Sequence, residues 1–207
     1  MKKLDQFGII PVDFSILSDV FSEYKHPEDK ISALENKGEI IRLKKGLYVI
    51  QGHEPFSKEL IANHLYGPSY ISLETALSYY KLIPERVYEM RSVTLKRSRT
   101  FATPLGVFSY RSATPAYYSV GLENKIESSF SFMIASPEKA LCDYLVLTSN
   151  IRIQSVKSME RFLDEDLRID VSALSEFNPD IIQSCISTGK KKGELTNLYK
   201  LVKSFKN

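Results

Sequence analysis

Along residues 12–21 of this 207-residue chain, apolar side chains recur at helical spacing. Phe14, Leu17 and Phe21 stand at i, i+3 and i+7, and Ile16 and Val20 widen the stripe. That period predicts an amphipathic helix of about three turns. Lys25-His26-Pro27 breaks it. Pro27 suits the first position of a second helix, and Glu28 and Asp29 suit its positive N-terminal end. This helix runs to Lys37, with Gly38 as a left-handed stop. Residues 39–43 and 47–50 read as strands joined by Lys44-Lys45-Gly46, a link whose final glycine matches a type I turn closed by a bulge. Helix, turn, helix and hairpin follow one another in the order of a winged helix-turn-helix, residues 1–53.

Gly52-His53-Glu54-Pro55 is the linker candidate, and residues 54–207 form the second unit. Helical segments are predicted at 57–66, broken by Gly67-Pro68, and in SLETALSYYKL after Ser72, where Leu73, Ala76, Leu77 and Tyr80 share a face. A β-rich stretch follows at 90–95, 100–102, 107–111, 117–120 and 129–135. In the last, Phe130, Phe132 and Ile134 alternate to one side. Ser136-Pro137-Glu138 supplies an N-cap, a first-turn proline and a first-turn acid for KALCDYLVL. The pattern is helical again from 151 onward, ending in a stripe of Leu195, Leu198, Tyr199, Val202 and Phe205. The fold class is therefore α+β: the winged helix-turn-helix, then mixed sheet and helices over 54–150, then a helical tail over 151–207.

Composition changes this picture little, and charge changes it more. No apolar run approaches the roughly 18–20 residues of a membrane span, and Asp5 and Gln6 interrupt the place of a signal peptide. Cys142 and Cys185 are the chain's two cysteines, each in apolar context, so a cytoplasmic protein without a disulfide framework is expected. Residues 1–52 balance eight basic against eight acidic groups, whereas 86–111 carry six against one. Residues 112–187 carry six against eleven, and 188–207 six against one. Two basic stretches thus bracket an acidic one, which suits a charged partner or an intramolecular match.

Catalytic signatures are missing. The chain has no Gly-rich phosphate loop, GxSxG, HExxH or CxxC, so neither an enzyme nor a cofactor is expected. His26, His53 and His64 stand singly, without the spacing of a metal site. Asp164-Glu165-Asp166 reads as a solvated acidic segment, Cys142 as an inert core thiol, and Lys190-Lys191-Lys192 as a solvating loop. Nucleic-acid chemistry has more to work with. With Ile31 and Leu34 turned inward, the second helix presents Asp29, Ser32, Ala33 and Asn36, flanked by Lys30 and Lys37. Asn can pair with adenine and Ala can touch a thymine methyl, while lysines at the edge hold phosphates. Arg42, Lys44 and Lys45 add three cations on the hairpin, although an ordinary solvated helix and hairpin would show similar residues, and Glu28 and Asp29 repel phosphate. Farther on, Arg91, Lys96, Arg97 and Arg99 fit a solvated strand pair first, and a nucleic-acid surface or an acidic protein partner beside it.

The order of these segments also carries a family resemblance. The helix pair running into GEIIRLKKGLYV, then YISLETALSYYKLIPERVYEMRSVT, then ASPEKALCDYL, resembles the AbiEi-type antitoxins of type IV toxin–antitoxin (abortive infection) systems over roughly residues 5–147. The resemblance implies a bifunctional protein. Its N-terminal winged helix would bind and repress the promoter of its own operon, and its C-terminal domain would neutralise a nucleotidyltransferase toxin. By position, Lys30, Ser32, Asn36 and Lys37 would be recognition-helix contacts, and Arg42, Lys44 and Lys45 wing contacts. The net-neutral N-terminal region departs from what a strong repressor would carry. The alternative is a stand-alone transcriptional regulator whose C-terminal domain binds a ligand or a protein.

Overall fold

The computed structural model describes residues 3–52, 55–85 and 87–206. Of the predicted linker, His53 and Glu54 lie outside the described residues. The fold is mixed α+β. It opens with a single 3-10 turn, Asp5–Phe7, and a two-residue strand β1 (Val12–Asp13). The helix predicted from residue 12 therefore begins at Phe14. Val12 and Asp13 are extended because they pair with Tyr48 and Leu47. Helices α1 (Phe14–Val20) and α2 (Pro27–Asn36) precede strands β2 (Ile40–Lys44) and β3 (Leu47–Ile50). The three strands form an antiparallel sheet in the order β1-β3-β2. The hairpin turn is as read: Gly46 has φ +83°, and the register shifts between Arg42 and Lys44.

β3 has no solvent face: Leu47, Tyr48, Val49 and Ile50 are all buried. Such an uninterrupted apolar run is what burial on both sides of a strand requires. Tyr48 and Ile50 join Leu4, Val12, Leu17, Phe21, Ile31, Leu34 and Ile40 in a small N-terminal core. Leu43, Leu47 and Val49 turn the other way, into the main core. The hairpin thus belongs to both. Only part of the predicted stripe is inside: Leu17 of α1 and Phe21 just past its end are buried, while Phe14 and Ile16 remain 39% and 44% exposed.

The larger core is built on a six-stranded mixed sheet, order β6-β7-β5-β4-β9-β8. Its strands are β4 (Ser69–Ile71), β5 (Glu89–Thr94), β6 (Arg99–Thr103), β7 (Gly106–Ser112), β8 (Leu122–Ile126) and β9 (Ser131–Ala135). Helix α3 (Lys58–Leu65) covers one face, where Tyr110 Oη and Ser69 Oγ both donate to the Ala62 carbonyl, at 2.7 and 3.3 Å. Tyr70, next along β4, points to the opposite face and reaches α6 (Pro137–Leu147). Helix α4 (Leu73–Tyr79) packs beside α6. The strand predicted at 117–120 is instead a short helix, α5 (Pro115–Tyr118), because Pro115 sits at its first position. β8 escaped prediction because it is an edge strand whose Glu123 and Lys125 hide its alternation.

The tail is helical as predicted: α7 (Val156–Arg161), a wide π-type turn closed by Leu167 N–H to the Phe162 carbonyl, α8 (Pro179–Thr188) and α9 (Lys192–Ser204). Leu195, Leu198 and Val202 are buried, while Phe205 lies just past the end of α9, 37% exposed. Lys191 corrects the solvating-loop reading. Its ammonium donates to the carbonyls of Leu145 and Thr148, both at 2.8 Å, and Ile151 at 3.4 Å, closing the C-terminal end of α6. At the end of α8, Gly189 is pressed against Tyr117. A Cβ there would lie 2.6 Å from the Cys185 carbonyl oxygen and 2.7 Å from Tyr117 Cε2. Gly189→Ala is therefore expected to cost about 1–3 kcal/mol, the usual range for overpacking, and thermal unfolding would show it as a lowered Tm.

Candidate nucleic-acid interface

Why α2 stands with a free outer face follows from its own residues. Pro27 fixes the first turn, Glu28 and Asp29 complement the N-terminal dipole, and Ile31 and Leu34 are 1% and 4% exposed against the small core. That pinning leaves Ser32, Ala33, Asn36 and Lys37 turned toward the far side, as the periodicity predicted. Ser32 Oγ already donates to the Glu28 carbonyl at 2.9 Å, so toward a ligand it offers its lone pairs. Lys30 is placed differently from expectation. Its ammonium lies 5.5 Å from the Tyr24 ring centre and 6.0 Å from that of Phe21, held over the module's own aromatics. α1 reaches α2 through the turn closed by Tyr24 N–H to the Phe21 carbonyl, and α2 leads through Gly38 directly into the hairpin.

On the hairpin the three predicted cations separate. Arg42 and Lys45 are exposed. Lys44 is half-buried and donates to the Leu65 carbonyl at 2.6 Å, so it fastens β2 to the end of α3. Burial, followed by the charge of Lys96, holds its ammonium below the ordinary lysine value; Asp13 opposes this and Arg99 adds to it. Those neighbours disclose what lies alongside. β2 packs against β6, and Lys96 and Arg99 come with it. Lys96 Nζ stands 5.2 Å from the centre of the Tyr66 ring, and the Arg99 guanidinium 4.8 Å from that of Phe101. The two rings are themselves in contact at 5.3 Å, with Tyr110 behind them. Arg97 is exposed in the same loop. The result is a basic surface that runs from the hairpin tip onto an aromatic platform of the six-stranded sheet.

Arg91 is not part of it. Its guanidinium is engaged by Glu74 at 2.7 Å and Glu89 at 3.1 Å, beside α4. The basic stretch around residue 91 is thereby divided: its last three cations join the hairpin, and its first is neutralised at home. His64 lies toward this joint too. Burial lowers its pKa, and Asp13 partly offsets that.

Elsewhere the sequence reading missed a constellation. Inside ASPEKALCDYL, Lys139 and Asp143 are both wholly buried, with Nζ and Oδ1 2.8 Å apart. Asp143 Oδ2 accepts from Ser72 Oγ at 2.6 Å and from Tyr70 Oη at 3.0 Å. Lys139 Nζ donates to the Tyr117 carbonyl at 3.0 Å and lies 3.2 Å from the centre of the Tyr117 ring. Ser72 occupies the N-cap position of α4, but its hydroxyl goes to Asp143 in place of capping the helix. The available signal was the i, i+4 spacing of opposite charges within an otherwise apolar helix. Cys142 is buried in the same helix, and burial pushes its thiol pKa up, as befits a core cysteine. The acidic run 164–166 is exposed, with Glu165 paired to Arg161 at 2.7 Å. Among the described residues no helix is long and apolar enough to cross a membrane. The chain matches no protein-family model and no curated protein.

Proposed function

We propose that this chain is a cytoplasmic antitoxin and autorepressor of the AbiEi kind, in which a winged helix-turn-helix reads the operator of its own operon and the rest of the chain neutralises a nucleotidyltransferase toxin. One observation carries the DNA-reading half. The outer face of α2 presents Ser32, Ala33 and Asn36, with the Asp29 carboxylate at its start, turned away from the core, and it stands beside a hairpin in a β1-β3-β2 sheet, the strand order of a winged helix. In that reading α2 lies in the major groove, Asn36 and Ser32 reach base edges, and Lys37 and Arg42 hold phosphates. Lys45, at the hairpin turn, is the wing contact. Lys96, Arg97 and Arg99 continue the phosphate track, which offsets the neutral charge of the first 52 residues. The antitoxin half rests on the motif order.

Asn36→Ala is expected to cost about 1–3 kcal/mol of binding on the cognate operator and to relax preference at one base pair. Competition binding against operator variants reads this; equal losses on every sequence would argue against direct readout by Asn36. The antitoxin half is tested by co-expressing the chain with the adjacent gene product and scoring growth. Rescue of growth supports the proposal. A neighbour that is harmless alone, or toxic whether or not this chain is present, leaves a stand-alone regulator.

A further inference from the structure

We propose that the chain has a second binding site, which borders the basic surface at Ser98 but is lined by other cations, and which takes an organic phosphate of nucleotide size. It is a cleft of about 650 Å³ between the end of β7, the start of α5, and the ends of α6 and α8. Small-molecule sites commonly enclose about 300–1,000 Å³ over an apolar floor with a few placed polar groups, and this cleft has both. Val146 and Leu147 form the floor, and Arg111 and Lys190 are the cations that line it. Among the described residues no carboxylate lines it, although residues 112–187 carry eleven acids against six basic groups. Neither Arg111 nor Lys190 is in an ion pair among the described residues. Two unpaired cations with no acid between them select an anion, and the apolar floor selects one with an organic body.

The surrounding chain holds these groups in place. Arg111 follows Tyr110 on β7; since Tyr110 faces α3, Arg111 points to the opposite face. Ser98 Oγ accepts from Ser112 N–H at 3.0 Å, which ties the preceding loop to this end of the strand. Lys190 is positioned by its neighbour: Lys191 is anchored on the carbonyls that end α6, so the residue before it is fixed at the rim. Gly189 contributes no side chain, and its close packing on Tyr117 sets the cleft wall. Thr114, at the N-cap of α5, makes no capping bond, so its hydroxyl remains for a ligand.

Titration calorimetry with ATP, inorganic phosphate and adenosine tests the site. ATP is expected to bind, with inorganic phosphate and adenosine each weaker by roughly ten-fold or more, since each supplies only half of the recognition. Arg111→Ala and Lys190→Ala should each weaken ATP by about ten-fold, the effect of removing one charge-assisted hydrogen bond. Circular dichroism and the melting temperature of each variant establish that it is folded. Lys45→Ala, on the DNA face, should leave ATP binding unchanged. Absence of ATP binding overturns the proposal. So does ATP binding that survives both cleft substitutions, or that disappears with Lys45→Ala instead. DNA binding enters none of these readouts, so the fate of this site and that of the operator reading are decided separately.

Discussion

Asp143→Ala should lower the unfolding free energy by about 3–5 kcal/mol, the range for breaking a buried ion pair by removing one partner. Equilibrium urea unfolding would show it as a fall in midpoint at unchanged slope. The reason lies in what remains. Lys139 has no solvent exposure, and without Asp143 its ammonium keeps, among the described residues, the Tyr117 carbonyl and the faces of two aromatic rings. Ser72 and Tyr70 lose the oxygen to which both donate. The ion pair itself need not be a net stabiliser, since desolvating both charges costs about as much as their attraction returns. The double variant Lys139→Met with Asp143→Leu separates the two effects. It removes the charges together, leaving the two hydroxyls without their acceptor and the Tyr117 carbonyl without its lysine donor but no unpaired buried charge, so it should be more stable than Asp143→Ala. A double variant as unstable as the single one would mean that shape and the hydroxyl bonds, not the orphaned charge, set the loss. Asp143 Oδ1 makes no aligned hydrogen bond despite standing 2.8 Å from Lys139 Nζ, so the attraction is chiefly one of charge.

That pair shows where sequence reading stops. Helices with caps and a stripe were legible because their determinants are local: Ser57 and Ser136 both accept a backbone N–H of their helix's first turn, and Gly46 takes the predicted turn. Lys139 and Asp143 were visible as letters, but their partners Tyr70, Ser72 and Tyr117 lie about twenty to seventy residues away. The same holds on the basic surface. Nothing near Lys44 announces that its ammonium will reach Leu65 or that Lys96 and Arg99 will lie beside it. Arg91 and Arg99 look alike in sequence, yet one turns to Glu74 and Glu89 while the other lies on Phe101. Strand alternation decides which side each takes, and only the register of β5, β6 and β7 fixes that. The outer face of α2 was legible throughout, because a single helical period determines it.

Replacing Lys45, Lys96 and Arg99 together by Ala should reduce DNA affinity uniformly across sequences and flatten the dependence of log K on log salt by up to about 2.7, at about 0.9 for each phosphate that is no longer neutralised. The choice of these three follows from their surroundings. Lys45 is exposed at the turn, and Lys96 and Arg99 are exposed and lie over aromatic rings, so their removal disturbs no side-chain hydrogen bond among the described residues. Lys44 is left intact because its removal would strip the Leu65 carbonyl of its donor and loosen the joint between hairpin and sheet, mixing a folding effect into a binding one. Arg91→Ala serves as the contrast: a cation engaged by two carboxylates releases no counterions from DNA, so the salt slope should not move. Fluorescence anisotropy over a salt series distinguishes the cases. If the triple variant changes the slope by only about 0.9 and Lys45→Ala alone reproduces that change, Lys45 is the one of the three that touches phosphate and the DNA footprint ends at the hairpin. If the slope is unaltered, the hairpin is a brace between two cores, and α2 meets DNA, if at all, without a wing.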